Sequence, residues 1–154
     1  MAKTVGLETF ALTGQADKSA ELRALGADEV LVTGDDPGSV LRDAGGADVI
    51  LSTTNSARQI AAAIKGLRPD GRLVNMGLPD GPVAIDPMML LMGQRQIRGS
   101  SQDERRDLFE ALSFVATGKV KPRLETYPLA DANAALDRLI AGKVRYRAVL
   151  QHVA

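Results

Sequence analysis

An α/β fold with a mostly parallel sheet is what this sequence predicts, and three observations predict it. Short runs rich in β-branched and aromatic residues alternate with helical segments of about 10–15 residues, as in successive βαβ units. Gly26, Gly118 and Gly142 stand where helices would end, the place for a left-handed residue. Asp48-Val49-Ile50-Leu51 is a nearly continuous apolar run, the kind carried by a strand covered on both faces.

Taken in order, Glu8 to Thr13 reads as a strand that meets Gly14. Asp17 to Leu25 mixes Ala20, Leu22, Ala24 and Leu25 with charges at near-helical spacing. Glu29 to Val32 is a second strand, and Pro37 opens a helix to about Asp43, proline being favoured in a first turn. After Gly45-Gly46 comes the strand Asp48 to Leu51. Asn55 or Ser56 can cap a helix over Ala57 to Leu67. Pro69-Asp70-Gly71 reads as a turn before the strand Arg72 to Met76. Val83 to Ile85 is a short extended piece, Pro87 to Met92 a brief apolar helix and Gln96 to Ser100 a strand. Asp103 to Thr117 is a long helix with Leu108, Leu112 and Val115 on one face. Glu125 to Leu129 is extended, Asp131 to Ala141 is helical and Tyr146 to Gln151 is a last strand. No linker suggests a second domain, so residues 1–154 are expected to form one.

Composition narrows the function. Nineteen Lys and Arg balance nineteen Asp and Glu, which gives no reason to expect nucleic acid or an acidic membrane surface as partner. The chain has no cysteine and one histidine, His152 near its end, so it offers no thiol nucleophile and no thiolate metal site. Neither a signal-like apolar start nor a run near the ~20 residues of a membrane span is present, and cytoplasmic residence is the expectation.

In open α/β sheets ligands bind beyond the carboxyl ends of the strands. Four groups stand at those ends: Thr13-Gly14-Gln15, Ser52-Thr53-Thr54, Met76-Gly77-Leu78 and Ser100-Ser101. Small residues let a flat ligand approach the backbone, and hydroxyls can bond ribose or phosphate oxygens; equally, strands often end in such turn-formers for local reasons. The spacing G-x-G-x-x-G, which places a pyrophosphate on a helix N-terminus, is absent: Gly45-Gly46 and Gly77/Gly81 do not match it. Asp103-Glu104 reads as an acidic helix start, and Arg105-Arg106 as a solvated face. Met88, Met89 and Met92, with Leu90 and Leu91, are core or a partner surface. The segment is too short to bury all its faces in one domain, which favours a subunit interface.

Several stretches together resemble the cofactor domain of the zinc-type alcohol dehydrogenases of the medium-chain dehydrogenase/reductase superfamily. They are ADKSAELRALGADEV (16–30), PDGRLVNMGLP (69–79), DPMMLLMGQRQIRGS (86–100), GKVKP (118–122) and ETYPLADANAALDRLIAGKVRYRAVL (125–150). The last is most similar to the cinnamyl-alcohol-dehydrogenase and aldehyde-reductase branches. The resemblance implies an incomplete Rossmann-type, doubly wound sheet without its first strand and Gly-rich turn. It implies a nucleotide cofactor, with Met76 to Leu78 and Ser100-Ser101 lining the nicotinamide, Ser52 to Thr54 under the riboses and Arg147 reaching the pyrophosphate. Where the family carries an acid for the ribose of NAD, this chain has Thr13, then Gly14 and Gln15, with Lys18 one turn on. The cofactor expected is therefore NADP rather than NAD, bound weakly if at all. The resemblance brings no catalytic residue and no zinc ligand to this chain.

Two functions follow as expectations: a cofactor-domain piece of an NAD(P)-dependent alcohol dehydrogenase, inactive alone, or a non-enzymatic module that acts by pairing. The order 3-2-1-4-5-6 puts the absent strand at the centre, so Glu8 to Thr13 would face Asp48 to Leu51 across a gap. Buried unpaired edges cost about 1–3 kcal/mol per group. The expected remedies are a slide of the first strand onto the third, or a second chain. A homodimer through Met88 to Ser100 is the expectation, with an altered sheet centre.

Overall fold

The structure is a computed structural model that describes residues 1–101 and 104–152. It divides into two compact units, one over Ala2–Leu108 and one from Phe109 to the end of the described residues.

The first unit holds five strands and four α-helices. These are β1 (Phe10–Thr13), α1 (Ser19–Ala24), β2 (Glu29–Val32), α2 (Pro37–Asp43), β3 (Ala47–Ser52), α3 (Ala57–Ala63), β4 (Leu67–Asn75), α4 (Pro87–Leu91) and β5 (Gln96–Gly99). Every strand pairing is parallel, as the βαβ alternation predicts. β1 pairs with β2, and β3-β4-β5 form a separate three-stranded sheet. The core is Leu41 of α2, Ile50 of β3, Ile60 and Ala63 of α3, Ile64, Leu67 and Leu73 of β4, with Phe10 and Leu31 packed against it. Both sheets therefore share one apolar centre, which α2 reaches from the crossover between them. Close approach of α2 to α3 requires Gly38, where a Cβ would stand 2.0 Å from the Ala62 carbonyl oxygen.

Local chemistry explains most boundaries. Asp36 caps α2 by accepting from the Ser39 amide at 3.2 Å and from its hydroxyl at 2.8 Å, ahead of Pro37 in the first turn. Ser56 caps α3, accepting from the Gln59 amide at 3.4 Å. Gly26 follows α1 with φ of 104°, the left-handed geometry its position predicts.

Three expectations need correction. Ala57 to Leu67 is α-helical only to Ala63, then tightens to a 3₁₀ turn over Ile64–Gly66. Pro69-Asp70-Gly71 is no turn between elements but part of β4: register shifts there, Ala47 facing Leu67 and Val49 facing Arg72. The extra residues bulge outward, with Asp70 at φ 61° and its amide donating to the Gly93 carbonyl at 2.8 Å. The third concerns the sheet centre. β1 has not slid onto β3; it stays on β2, held by Phe10 against the core and by the Thr33 amide on the Thr13 carbonyl at 2.8 Å. The predicted penalty assumed buried edges, yet Val49 and Leu51 of β3 are 57% and 60% exposed, so water can satisfy the backbone beside them.

The second unit carries most of α5 (Arg105–Ala116), which the domain boundary crosses, then β6 (Leu124–Pro128), α6 (Ala132–Ile140) and β7 (Arg147–Gln151). β6 and β7 pair in parallel, Leu124 opposite Arg147. The expected start of α5 at Asp103 lies outside the described residues. Leu108, Leu112 and Val115 do share a face of α5, but that face is exposed. No helix among the described residues is long and apolar enough to cross a membrane.

Candidate nucleotide site at the strand ends

Parallel pairing brings the ends of β3, β4 and β5 into one line. The Met76 and Gly77 amides donate to the Ser52 carbonyl at 2.9 and 3.2 Å, and the Ser100 amide donates to the Asn75 carbonyl at 2.9 Å. Ser52, Met76, Gly77 and Ser100 thus lie side by side along the carboxyl edge, as the strand-end rule requires of a ligand site. Ser52 is buried; Met76, Leu78 and Ser101 are exposed. Thr53 is exposed beside Thr54, whose hydroxyl donates to Gln59 Oε1 at 2.9 Å and accepts from the Ser56 amide at 3.2 Å. Thr54 therefore organises the start of α3.

The small residues at this edge have different causes. A Cβ on Gly77 would lie 2.1 Å from the Thr54 carbonyl oxygen, so glycine is needed there for backbone to cross backbone. A Cβ on Gly14 would meet only the Thr33 carbonyl oxygen, at 3.8 Å, so packing does not require glycine there.

Thr13, Gly14, Gln15 and Lys18 end the other sheet, that of β1 and β2. The Thr13 hydroxyl accepts from the Gln15 amide at 3.1 Å and shapes the turn into the 3₁₀ segment Ala16–Lys18. No carboxylate occupies this turn before Asp17. Arg147 opens β7 in the second unit, where it is exposed.

Asn75 was missed by sequence reasoning. Its Nδ2 donates to the Gly77 carbonyl at 2.9 Å, while Oδ1 is buried without a hydrogen-bond partner in the very line of strand ends. A buried acceptor left unmatched by the protein is rare and calls for a donor from water or a ligand. Only the short N-M-G sequence at a strand end hinted at it. Thr33, buried at the end of β2, was missed likewise.

A cavity of about 240 Å³ lies at the opposite end of the sheet, among Arg42, Gly46, Lys65, Arg68 and Arg95. Two of its arginines are already committed. Arg68 Nε donates to the Gly45 carbonyl and Nη1 to Asp48, both at 2.9 Å; Arg95 donates to the Leu67 and Met89 carbonyls at 3.0 Å. Cations there satisfy carbonyls where α2 and the α3 turn end. This is helix-end chemistry, away from the carboxyl edge of the strands. Among the described residues no three His, Cys, Asp or Glu side chains converge to hold a metal.

Known proteins align with this arrangement over nearly the whole chain. Residues 1–117 match the family model described as zinc-binding dehydrogenase. A probable formaldehyde dehydrogenase of Bacillus subtilis is 33% identical, over 97% of this chain and 42% of its own length. Cinnamyl alcohol dehydrogenase 2 of Rauvolfia serpentina is 31% identical, over 97% and 41%. A solved NAD-dependent alcohol dehydrogenase superposes with TM-score 0.87 at 32% identity, over 99% of this chain and 46% of that one. The chain spans less than half the length of these relatives. With its parallel sheets in the Rossmann-like arrangement, the chain belongs to the zinc-binding dehydrogenase family and corresponds to part of the nucleotide-binding half of a zinc-type alcohol dehydrogenase.

Proposed function

We propose that this chain is the cofactor-holding portion of an NAD(P)-dependent alcohol dehydrogenase of the cytoplasm, with a preference for NADP and no turnover by itself. The observation that carries the reading is the continuous carboxyl edge Ser52, Asn75 to Gly77 and Ser100, with an acceptor in Asn75 still unmatched. The preference for NADP rests on Thr13-Gly14-Gln15, which present no carboxylate to repel a 2′-phosphate, and on Lys18 one turn later. Binding is expected to be weak. Among the described residues no glycine-rich helix start receives the pyrophosphate, which leaves out the strongest anion cradle of such folds. In this reading the strand-end groups take the two ends of the dinucleotide, and its middle has no cradle among the described residues. When bound, the cofactor would supply hydride chemistry; these residues would only bind and orient it.

Calorimetric titration tests the reading. NADP should bind more tightly than NAD, and Lys18→Glu should reverse or abolish that order. Tight binding of NAD over NADP would contradict it. Alcohol oxidation by the purified chain should be absent; zinc-dependent turnover lost to a chelator would refute that half.

A second reading, association without catalysis, is favoured by one observation. Met88 and Leu91 of α4, Met92 just after it and Ile97 of β5 are exposed within ten residues of sequence, the apolar surface proposed to pair two copies.

A further inference from the structure

The cavity away from the strand-end line is lined by four cations, Arg42, Lys65, Arg68 and Arg95, and by no carboxylate. Two of the four have a carboxylate within reach: Arg68 holds Asp48 at 2.9 Å, and Lys65 stands 3.8 Å from Asp36. Asp36 already accepts from the Ser39 amide and hydroxyl, so its hold on Lys65 is loose. Arg95 is half-buried and donates to the Leu67 and Met89 carbonyls, which take its protons but leave its charge uncompensated. Arg42 has no hydrogen bond or ion pair among the described residues. Two positive charges of the cavity therefore lack an anionic partner. Helix ends of this polarity usually repel anions, because their carbonyls point outward. Here the Gly45, Leu67 and Met89 carbonyls are each covered by an arginine, and those of Leu41 and Arg42 by the Gly46 and Gly45 amides at 2.9 Å.

From these observations we infer that this cavity binds a small phosphate dianion, either the free ion or the phosphate group of a small ester. Two uncompensated guanidinium ions match two negative charges, and their forked donors meet phosphate oxygens in pairs. The volume, about 240 Å³, lies below the ~300–1,000 Å³ of pockets for drug-sized ligands. That is too small for a dinucleotide and enough for a phosphate with a few carbons. The dianion would link the end of α2, the turn before β4 and the residue that opens into β5, so its binding would stabilise the folded unit by mass action. The inference does not depend on nucleotide binding at the carboxyl edge.

The test is titration of the isotope-labelled full chain at constant ionic strength and about pH 8, where a phosphate ester is a dianion. The probes are inorganic phosphate, glycerol phosphate and methyl sulfate, a monoanion of the same tetrahedral shape. Saturable amide NMR shifts are expected at Gly45, Gly46 and Gly66, with glycerol phosphate bound at least about tenfold more tightly than methyl sulfate. Inorganic phosphate bound as tightly as glycerol phosphate assigns the site to the free ion; weaker phosphate binding assigns it to the ester. Arg42→Gln removes no hydrogen bond or ion pair of the described residues and should leave the melting temperature unchanged. It should weaken glycerol phosphate binding at least about tenfold, and Lys65→Gln is a second variant with the same expected direction. Lys121→Gln, the same loss of charge at an exposed position of the second unit, should change nothing. Shifts that never saturate, equal binding of methyl sulfate, saturable shifts confined to other residues, or Arg42→Gln and Lys65→Gln chains that bind as the wild type does would each overturn the inference.

Discussion

A Cβ on Gly77 would meet the Thr54 carbonyl oxygen at 2.1 Å, and neither backbone can yield without breaking the strand-end line. Gly77→Ala is expected to cost about 1–3 kcal/mol through overpacking, read as a lower urea midpoint. Gly81→Ala, with nothing within 4 Å of the new carbon, should change stability by no more than about 0.5 kcal/mol. Glu125 is the other informative residue. The Tyr127 hydroxyl donates to it at 2.6 Å, the Arg145 amide at 2.7 Å and Arg138 at 3.0 Å, which lowers its pKa from 4.5 to about 2. A carboxylate lowered on folding stabilises above its unfolded pKa and stops doing so as pH falls through the folded value. Acid should therefore loosen β6-β7 between about pH 4.5 and 2. Glu125→Gln should flatten that dependence, as followed by NMR shifts of Tyr127 and Tyr146. Sequence inspection could not foresee this network, because Glu125 on β6, Arg138 on α6 and Arg145 before β7 meet only when all three elements fold together.

Helices were legible where local chemistry sets them. Ser56 and Pro37 stand at the starts that their side chains favour. Ser56→Ala should cost about 1 kcal/mol, measurable as a lower thermal midpoint, since the Gln59 amide loses its acceptor. β4 was less legible. Pro69-Asp70-Gly71 carries turn chemistry, but Leu67 is buried in the core and pulls the residues before the turn into the ladder beside Ala47. Tertiary burial overrode turn propensity, and the bulge absorbed the conflict. α5 shows the converse. Its apolar spacing predicted the helix correctly, while spacing carries no information on whether that face meets anything.

At the level of the whole molecule, apolar surface is the governing quantity. Leu91 and Met92 are 70% and 75% exposed at the end of α4, a poor arrangement for a monomer. Light scattering at micromolar concentration should give twice 16.3 kDa, and Leu91→Glu with Met92→Glu should return the monomer without unfolding it. A stable wild-type monomer would sink the pairing claim.

By itself the sequence determined the class of fold, the order of its elements and the four strand-end groups, because hydrophobic period, caps and turn-formers act over a few residues. It also carried the family, through stretches spread over the chain. Only the tertiary structure decided which strand ends stand together, that Gly77 serves packing, that Asn75 holds an unmatched acceptor and that β1 and β3 stay apart. Those outcomes depend on contacts between residues distant in sequence, where burial of Leu41, Ile50 and Leu73 sets positions that no local pattern encodes.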